Sequence, residues 1–176
     1  LTPTPTFDEF ASLFPLSEDV SSVAAVSPDE MPEPYRGLLV HKHHMTVTVE
    51  KHYGSPVTVS VLRSWRDGDI YSRKILLALA NSARVVQFGV VRINLSFLSR
   101  AVKDEIVAEG TPLGRVLINH KVLRRIVPIS HLRAVLGPDL AGRFGVPPGT
   151  TTYGRIGVIF TDNQPAIEVL EVLAPI

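Results

Sequence analysis

Gly110-Thr111-Pro112-Leu113-Gly114-Arg115-Val116-Leu117-Ile118-Asn119 is the stretch from which the rest of the chain can be organised. It joins two apolar segments of helical spacing, and its own chemistry is that of a helix start. Thr111 can cap the second helix, and Pro112 suits a first turn, where a missing N–H removes no hydrogen bond. The amides of Leu113, Gly114 and Arg115 are then left without intrahelical acceptors at the positive end of a helix dipole. Such a cluster of donors is a ready site for a carboxylate. Gly114 removes a side chain where a ligand needs room, and Arg115 adds charge. By itself the stretch is only a capped helix start; its place between two sets of strands gives it weight.

Upstream, residues 95–108 carry apolar positions at helical spacing, with Ser96 or Ser99 available as a cap. Before them, residues 45–50 and 57–62 alternate branched and polar side chains around a turn at 51–56, which predicts an antiparallel hairpin. Asp67-Gly68 marks a second turn, and residues 71–80 and 84–95 read as two longer strands. Downstream come the apolar residues 122–127, part of a helical insert between the strands, a helical segment at 130–136 and a Gly/Pro-rich connection over 137–152. A closing hairpin follows, residues 153–161 and 165–173 about Asp162-Asn163-Gln164. At the other end, residues 2–6 alternate Pro and Thr and are expected to be extended. Residues 7–14 form an amphipathic helix, 16–34 a loop with at most a helical turn, and 34–40 a second short helix. The expectation is α+β: a single antiparallel sheet of about six strands with helices packed on one face. All 176 residues make one domain, with residues 1–40 packing on it.

Composition bounds the chemistry. Hydrophobic residues are 45% and charged residues 20% of the chain, ordinary for a globular protein. A net charge of +1 gives no reason to expect nucleic acid or an anionic membrane as partner. There is no cysteine, which excludes disulfides, zinc–thiolate sites, iron–sulfur clusters and thiol nucleophiles. No apolar run reaches transmembrane length and the first residues lack a secretory pattern, so a cytoplasmic location is expected.

A few polar residues conflict with apolar surroundings. His41 and His43 share a face if their segment is extended, but two ligands on one strand do not make a metal site, and none is expected. Arg73 heads the apolar strand at 71–80, and Arg92 stands inside another; either must reach water or meet an acid or a ligand. Glu168 and Glu171, three apart, fall on opposite faces of the last strand. An inward Glu opposite an inward Arg across a dry cavity can hold a small polar acid by both ends; the same pair can equally be a structural ion pair.

Four segments, taken in order, resemble chorismate pyruvate-lyase. They are Met45-Thr46 leading to Glu50, Arg73 at the head of its strand, Thr111-Pro112-Leu113-Gly114-Arg115, and Glu171-Val172-Leu173-Ala174-Pro175. Tyr153-Gly154-Arg155 adds to the likeness, which runs from about His41 to the C-terminus. The family departs at the strand over 84–95, where it carries an arginine early and this chain has Arg92 later. The last hairpin is also one residue longer here. The resemblance implies a carbon–oxygen lyase of aromatic-compound or ubiquinone biosynthesis, converting chorismate to 4-hydroxybenzoate and pyruvate without a cofactor. It places the carboxylate anchor at Arg73 and the main-chain amides at Met45 and Leu113, with Gly114 beside them. The glutamate facing the ring hydroxyl falls at Glu171. Arg92, Arg115, Arg155 and Lys121 are candidates for a second cation, toward the enolpyruvyl carboxylate. The fold also resembles effector-binding domains of GntR-type regulators, so a non-catalytic aromatic-acid sensor is the alternative. Residues 1–40 read as too short and too acidic for a winged helix-turn-helix, which makes the enzyme the main expectation.

Overall fold

The computed structural model describes residues 4–176; the expectation for Thr2 and Pro3 lies outside them. The described elements run α1 (Phe7–Leu13), β1 (Val20–Val26), α2 (Tyr35–Leu39), α3 (Met45–Tyr53), β2 (Val57–Asp67), β3 (Ile70–Leu79) and β4 (Val85–Asn94). They continue α4 (Arg100–Val107), α5 (Leu113–Asn119), β5 (Arg124–Leu136), α6 (Pro138–Phe144), β6 (Thr151–Thr161) and β7 (Gln164–Leu173). Every strand pairing is antiparallel, in one seven-stranded sheet of order β1-β5-β6-β7-β4-β3-β2. The α+β fold with a single antiparallel sheet therefore holds, with one strand more than expected.

The differences have local causes. Residues 45–50, expected as a strand, and the first residues of the turn expected at 51–56 together form α3 (Met45–Tyr53). Alternation of Thr and Val is compatible with a strand, but Gly54 ends the segment in the left-handed conformation at φ 64°, and the helix buries Met45, Thr46 and Val49 on one face. Residues 130–136, expected as helical, belong to β5. There β1 takes one edge and β6 the other, and Leu132, Ala134 and Leu136 alternate into the core. The acid- and proline-rich segment before α2 contains β1 itself, and the Gly/Pro-rich connection contains α6, opened by Pro138 and closed by Gly145 at φ 72°. Here pairing partners distant in sequence override local propensity.

Helices α2 to α5 cover one face of the sheet. On the other, α1 and α6 form a smaller layer around Phe10, Phe14, Phe88, Val90, Leu140 and Leu170. Thr6 starts α1 with a capping box, its amide donating to Glu9 Oε2 at 2.7 Å. Lys74 Nζ donates to the buried Asp19 carboxylate at 2.7 Å, tying the segment before β1 to the middle of β3. Beneath α3 and α5 the sheet presents Arg73, Ile75 and Leu77 of β3, Gln87, Gly89 and Val91 of β4, and Val169 and Glu171 of β7. No described helix is long and apolar enough to cross a membrane.

Candidate ligand site

Register fixes the floor of the site. Arg73 pairs with Val91, which pairs with Val169; Ile75 pairs with Gly89, which pairs with Glu171; Leu77 pairs with Gln87. Successive rows on one face are two residues apart, about 7 Å. Arg73 and Glu171 thus lie on the same face, one row apart. Gly89 leaves the middle row without a side chain on β4, and a Cβ there would meet Ile75 Cδ1 at 3.3 Å. The roof is the start of α3 (His44, Met45, Thr46) and of α5 (Leu113, Gly114). Floor and roof enclose a cavity of about 50 Å³.

Arg73 is 1% exposed and is the one cationic arginine or lysine among the described residues that line the cavity. Nη1 donates to the Ile106 carbonyl at 3.3 Å, while Nε has no partner among the described residues and no carboxylate stands within ion-pair distance. Burial pulls its pKa down, but a guanidinium stays charged. Behind it, Tyr71 Oη donates to Glu109 Oε1 at 2.6 Å. Burial and that bond push the Tyr71 hydroxyl up to about 12, and the bond holds the Glu109 carboxyl below its usual range. The Glu109 charge acts on Arg73 without reaching ion-pair distance, so the desolvated guanidinium has only a remote counter-charge, the electrostatics of an incomplete ion pair.

Glu171 is differently placed. Arg155 Nε donates to its Oε2 at 2.7 Å. The same guanidinium, 2% exposed, donates through Nη1 to the carbonyl of His41 and through Nη2 to that of His43, each at 3.0 Å. Arg155 therefore clamps β6, β7 and the segment leading into α3, and it does not line the cavity. His44 lines the cavity and accepts a hydrogen bond at Nε2 from Arg124 Nε. Burial first, then the Arg124 and Arg155 charges, lower its pKa to about 4, so at neutral pH it is an acceptor and not a cation.

As first residues of α3 and α5, Met45 and Leu113 carry amides that the helices leave without acceptors. Two details of the 110–119 stretch differ from expectation. Pro112, not Thr111, is the N-cap, with no side-chain cap bond, and the Arg115 amide is already satisfied by the Pro112 carbonyl at 2.9 Å. Gly114 lines the cavity, yet its missing side chain chiefly admits α3: a Cβ would lie 2.7 Å from Thr46 Oγ1.

The proposed second cations stand outside the cavity. Arg92 points to the opposite face, where Nε donates to the fully buried Glu168 at 2.6 Å. Arg115 pairs with Glu50 over α3. Arg155 is consumed by Glu171 and main-chain carbonyls. Lys121 lines an open basic groove with Lys42, His43, Arg124 and Arg125 on the far side of His44. His41 and His43 stack with ring centroids 5.4 Å apart, and His41 Nε2 is spent on the Leu38 carbonyl at 2.6 Å. Sequence reasoning passed over Gln87 and Gly89, although a Gln inside Val85-Val86-Gln87-Phe88-Gly89-Val90-Val91 is the same conflict that drew attention to Arg73.

Neither a protein-family model nor a curated protein sequence matches the chain. Solved structures do match in fold. PhnF from Mycobacterium smegmatis aligns with a TM-score of 0.57 at 10% identity, over 77% of this chain and 65% of that one. The ligand-binding domain of a protein assigned to the GntR family of transcriptional regulators, from Bordetella bronchiseptica, aligns with a TM-score of 0.51 at 13% identity, over 66% of this chain and 85% of that domain. YydK from Bacillus subtilis aligns with a TM-score of 0.49 at 15% identity over 66% of this chain, which spans 57% of its length. At these identities the likeness is one of fold.

Proposed function

We propose that this domain is a receptor for a small aromatic acid, which it holds in the cavity between the sheet and α3/α5. The observation that carries the reading is Arg73: buried, with Nε unpartnered among the described residues and no described carboxylate within ion-pair distance. A ligand carboxylate completes that ion pair, with the Met45 and Leu113 amides as further donors. One row on, the distance suits the para position of a single ring, where a hydroxyl meets Glu171. A cavity of about 50 Å³ is far below the usual size of small-molecule pockets, so the reading is confined to the smallest ligand class, one ring with small substituents, and requires α3 and α5 to move apart to admit it. The Bordetella domain of the same fold binds ligand by its description, which supports a receptor role.

The second reading is lyase chemistry in the same cavity. It is favoured by one observation, the Glu171 carboxylate facing the site that holds Arg73. In that reaction the enolpyruvyl ether bond of chorismate breaks, the ring loses a proton and becomes aromatic, and the enolate leaves as pyruvate. Arg73 would orient the ring carboxylate and Glu171 the ring oxygen. The receptor stands first because the enolpyruvyl carboxylate finds no second cationic arginine or lysine among the described residues lining the cavity.

One pair of measurements separates the two. Titration calorimetry with 4-hydroxybenzoate should give saturable one-to-one binding, and incubation with chorismate should release no pyruvate. Steady pyruvate release would promote the lyase, and Glu171→Gln should then slow it about a hundredfold while product affinity falls less than tenfold. Absence of binding at millimolar 4-hydroxybenzoate, without turnover, sinks both.

A further inference from the structure

Four buried polar side-chain atoms have no hydrogen-bond partner among the described residues: Tyr53 Oη, Ser72 Oγ, Arg73 Nε and Gln87 Oε1. Only Arg73 and Gln87 of these line the cavity. Arg73 is accounted for by a carboxylate, but Gln87 is not. It is 3% exposed, between the apolar Val85, Val86, Phe88 and Val90 of β4, where an unmet amide oxygen is costly. Gln87 shares its face of β4 with Gly89 and Val91, and it lies one row beyond Glu171, counted from Arg73. Gly89 has no side chain, so β4 itself puts nothing between the Gln87 amide and the middle row, where the para substituent of a bound ring lies against the Ile75 side chain packed over Gly89.

We infer that Gln87 is a specificity-determining residue, which reads a second hydroxyl on the ligand next to the para oxygen. The inference rests on the receptor reading above and narrows its ligand class to vicinal dihydroxy aromatic acids. The chemistry follows from the groups present. Glu171, held by Arg155, offers a charged acceptor to one hydroxyl, and the neutral Gln87 amide, with both a donor and an acceptor end, suits a second. A cavity built to hydrogen-bond a hydroxyl disfavours the analogue lacking it, because the buried amide then stays unmet.

The test is calorimetry with benzoate, 4-hydroxybenzoate and 3,4-dihydroxybenzoate on wild type and Gln87→Leu, with thermal unfolding of both proteins without ligand. Wild type should bind the dihydroxy acid at least tenfold more tightly than 4-hydroxybenzoate. Gln87→Leu should bring that ratio to about one without weakening 4-hydroxybenzoate. Its Tm should be equal to or above wild type, since an apolar side chain replaces an unmet amide. A ratio near one in wild type, or a ratio that survives in Gln87→Leu, overturns the assignment while leaving the receptor reading in place. A clear fall in Tm would show that Gln87 serves packing, and overturns it independently of any ligand. If none of the three acids binds wild type, the receptor reading fails and this inference with it.

Discussion

Arg73 and Arg92 are neighbours in the β3/β4 ladder, in the adjacent pairs Arg73–Val91 and Ser72–Arg92, yet they emerge on opposite faces of the sheet. Under α1, Arg92 meets Glu168 of β7 in direct register, and Glu9 lies 3.9 Å away. Under α3 and α5, Arg73 meets a cavity. On both faces the sheet sets a guanidinium among apolar side chains, fully buried at Arg73 and partly buried at Arg92. On one a carboxylate of the chain meets the guanidinium directly; on the other the Glu109 charge acts only from beyond ion-pair distance, and a ligand carboxylate can make the direct contact. The contrast teaches that a buried arginine becomes informative about function only through what completes it.

The comparison can be broken at its stable end. Arg92→Ala leaves the fully buried Glu168 without its guanidinium partner, and should cost about 3–5 kcal/mol of folding stability. Urea or thermal unfolding measures this. A loss under about 1 kcal/mol would mean that the two arginines do not differ in kind. At the open end, Arg73→Ala should leave stability nearly unchanged while removing about 2–4 kcal/mol of 4-hydroxybenzoate binding. Unchanged affinity in calorimetry would remove Arg73 as the anchor.

A smaller effect concerns the segment that roofs the cavity. His41 and His44 have pKa values lowered from 6.5 to about 4, in each case by burial first. The Arg155 charge adds to both, with Arg124 acting on His44, His131 on His41, and His43 on both. The folded chain therefore keeps these rings neutral where the unfolded chain protonates them. Between about pH 6.5 and 4 the unfolded state binds more protons, so stability falls as pH falls through that window and levels off below it. Thermal unfolding against pH should show the decline, and His44→Gln, which keeps an acceptor for Arg124, should make it shallower. An identical profile in that variant would place the proton uptake elsewhere.

Local signals in the sequence sufficed for much of this. The strands at 71–80, 84–95, 153–161 and 165–173 are long, apolar and bounded by turn residues, and all four are central in the sheet. Period-two spacing also put Arg73 with Ile75 and Leu77, and set Glu168 opposite to Glu171, before any contact was known. Tertiary structure decided the rest. Val and Thr alternation could not tell that residues 45–53 coil into the roof of the cavity, nor that 130–136 lie between two strands. Both are settled by partners far away in the chain. The same holds for the roles of the charges. One-dimensional spacing gives the face on which a side chain emerges, but the counter-charge comes from another strand or helix. Sequence singles out Arg73 and Arg92 alike as charges in apolar strands, and Arg155 only through the family resemblance. Only the packed sheet shows that Glu168 completes the second and Glu171 the third, and that the first stands open to a cavity.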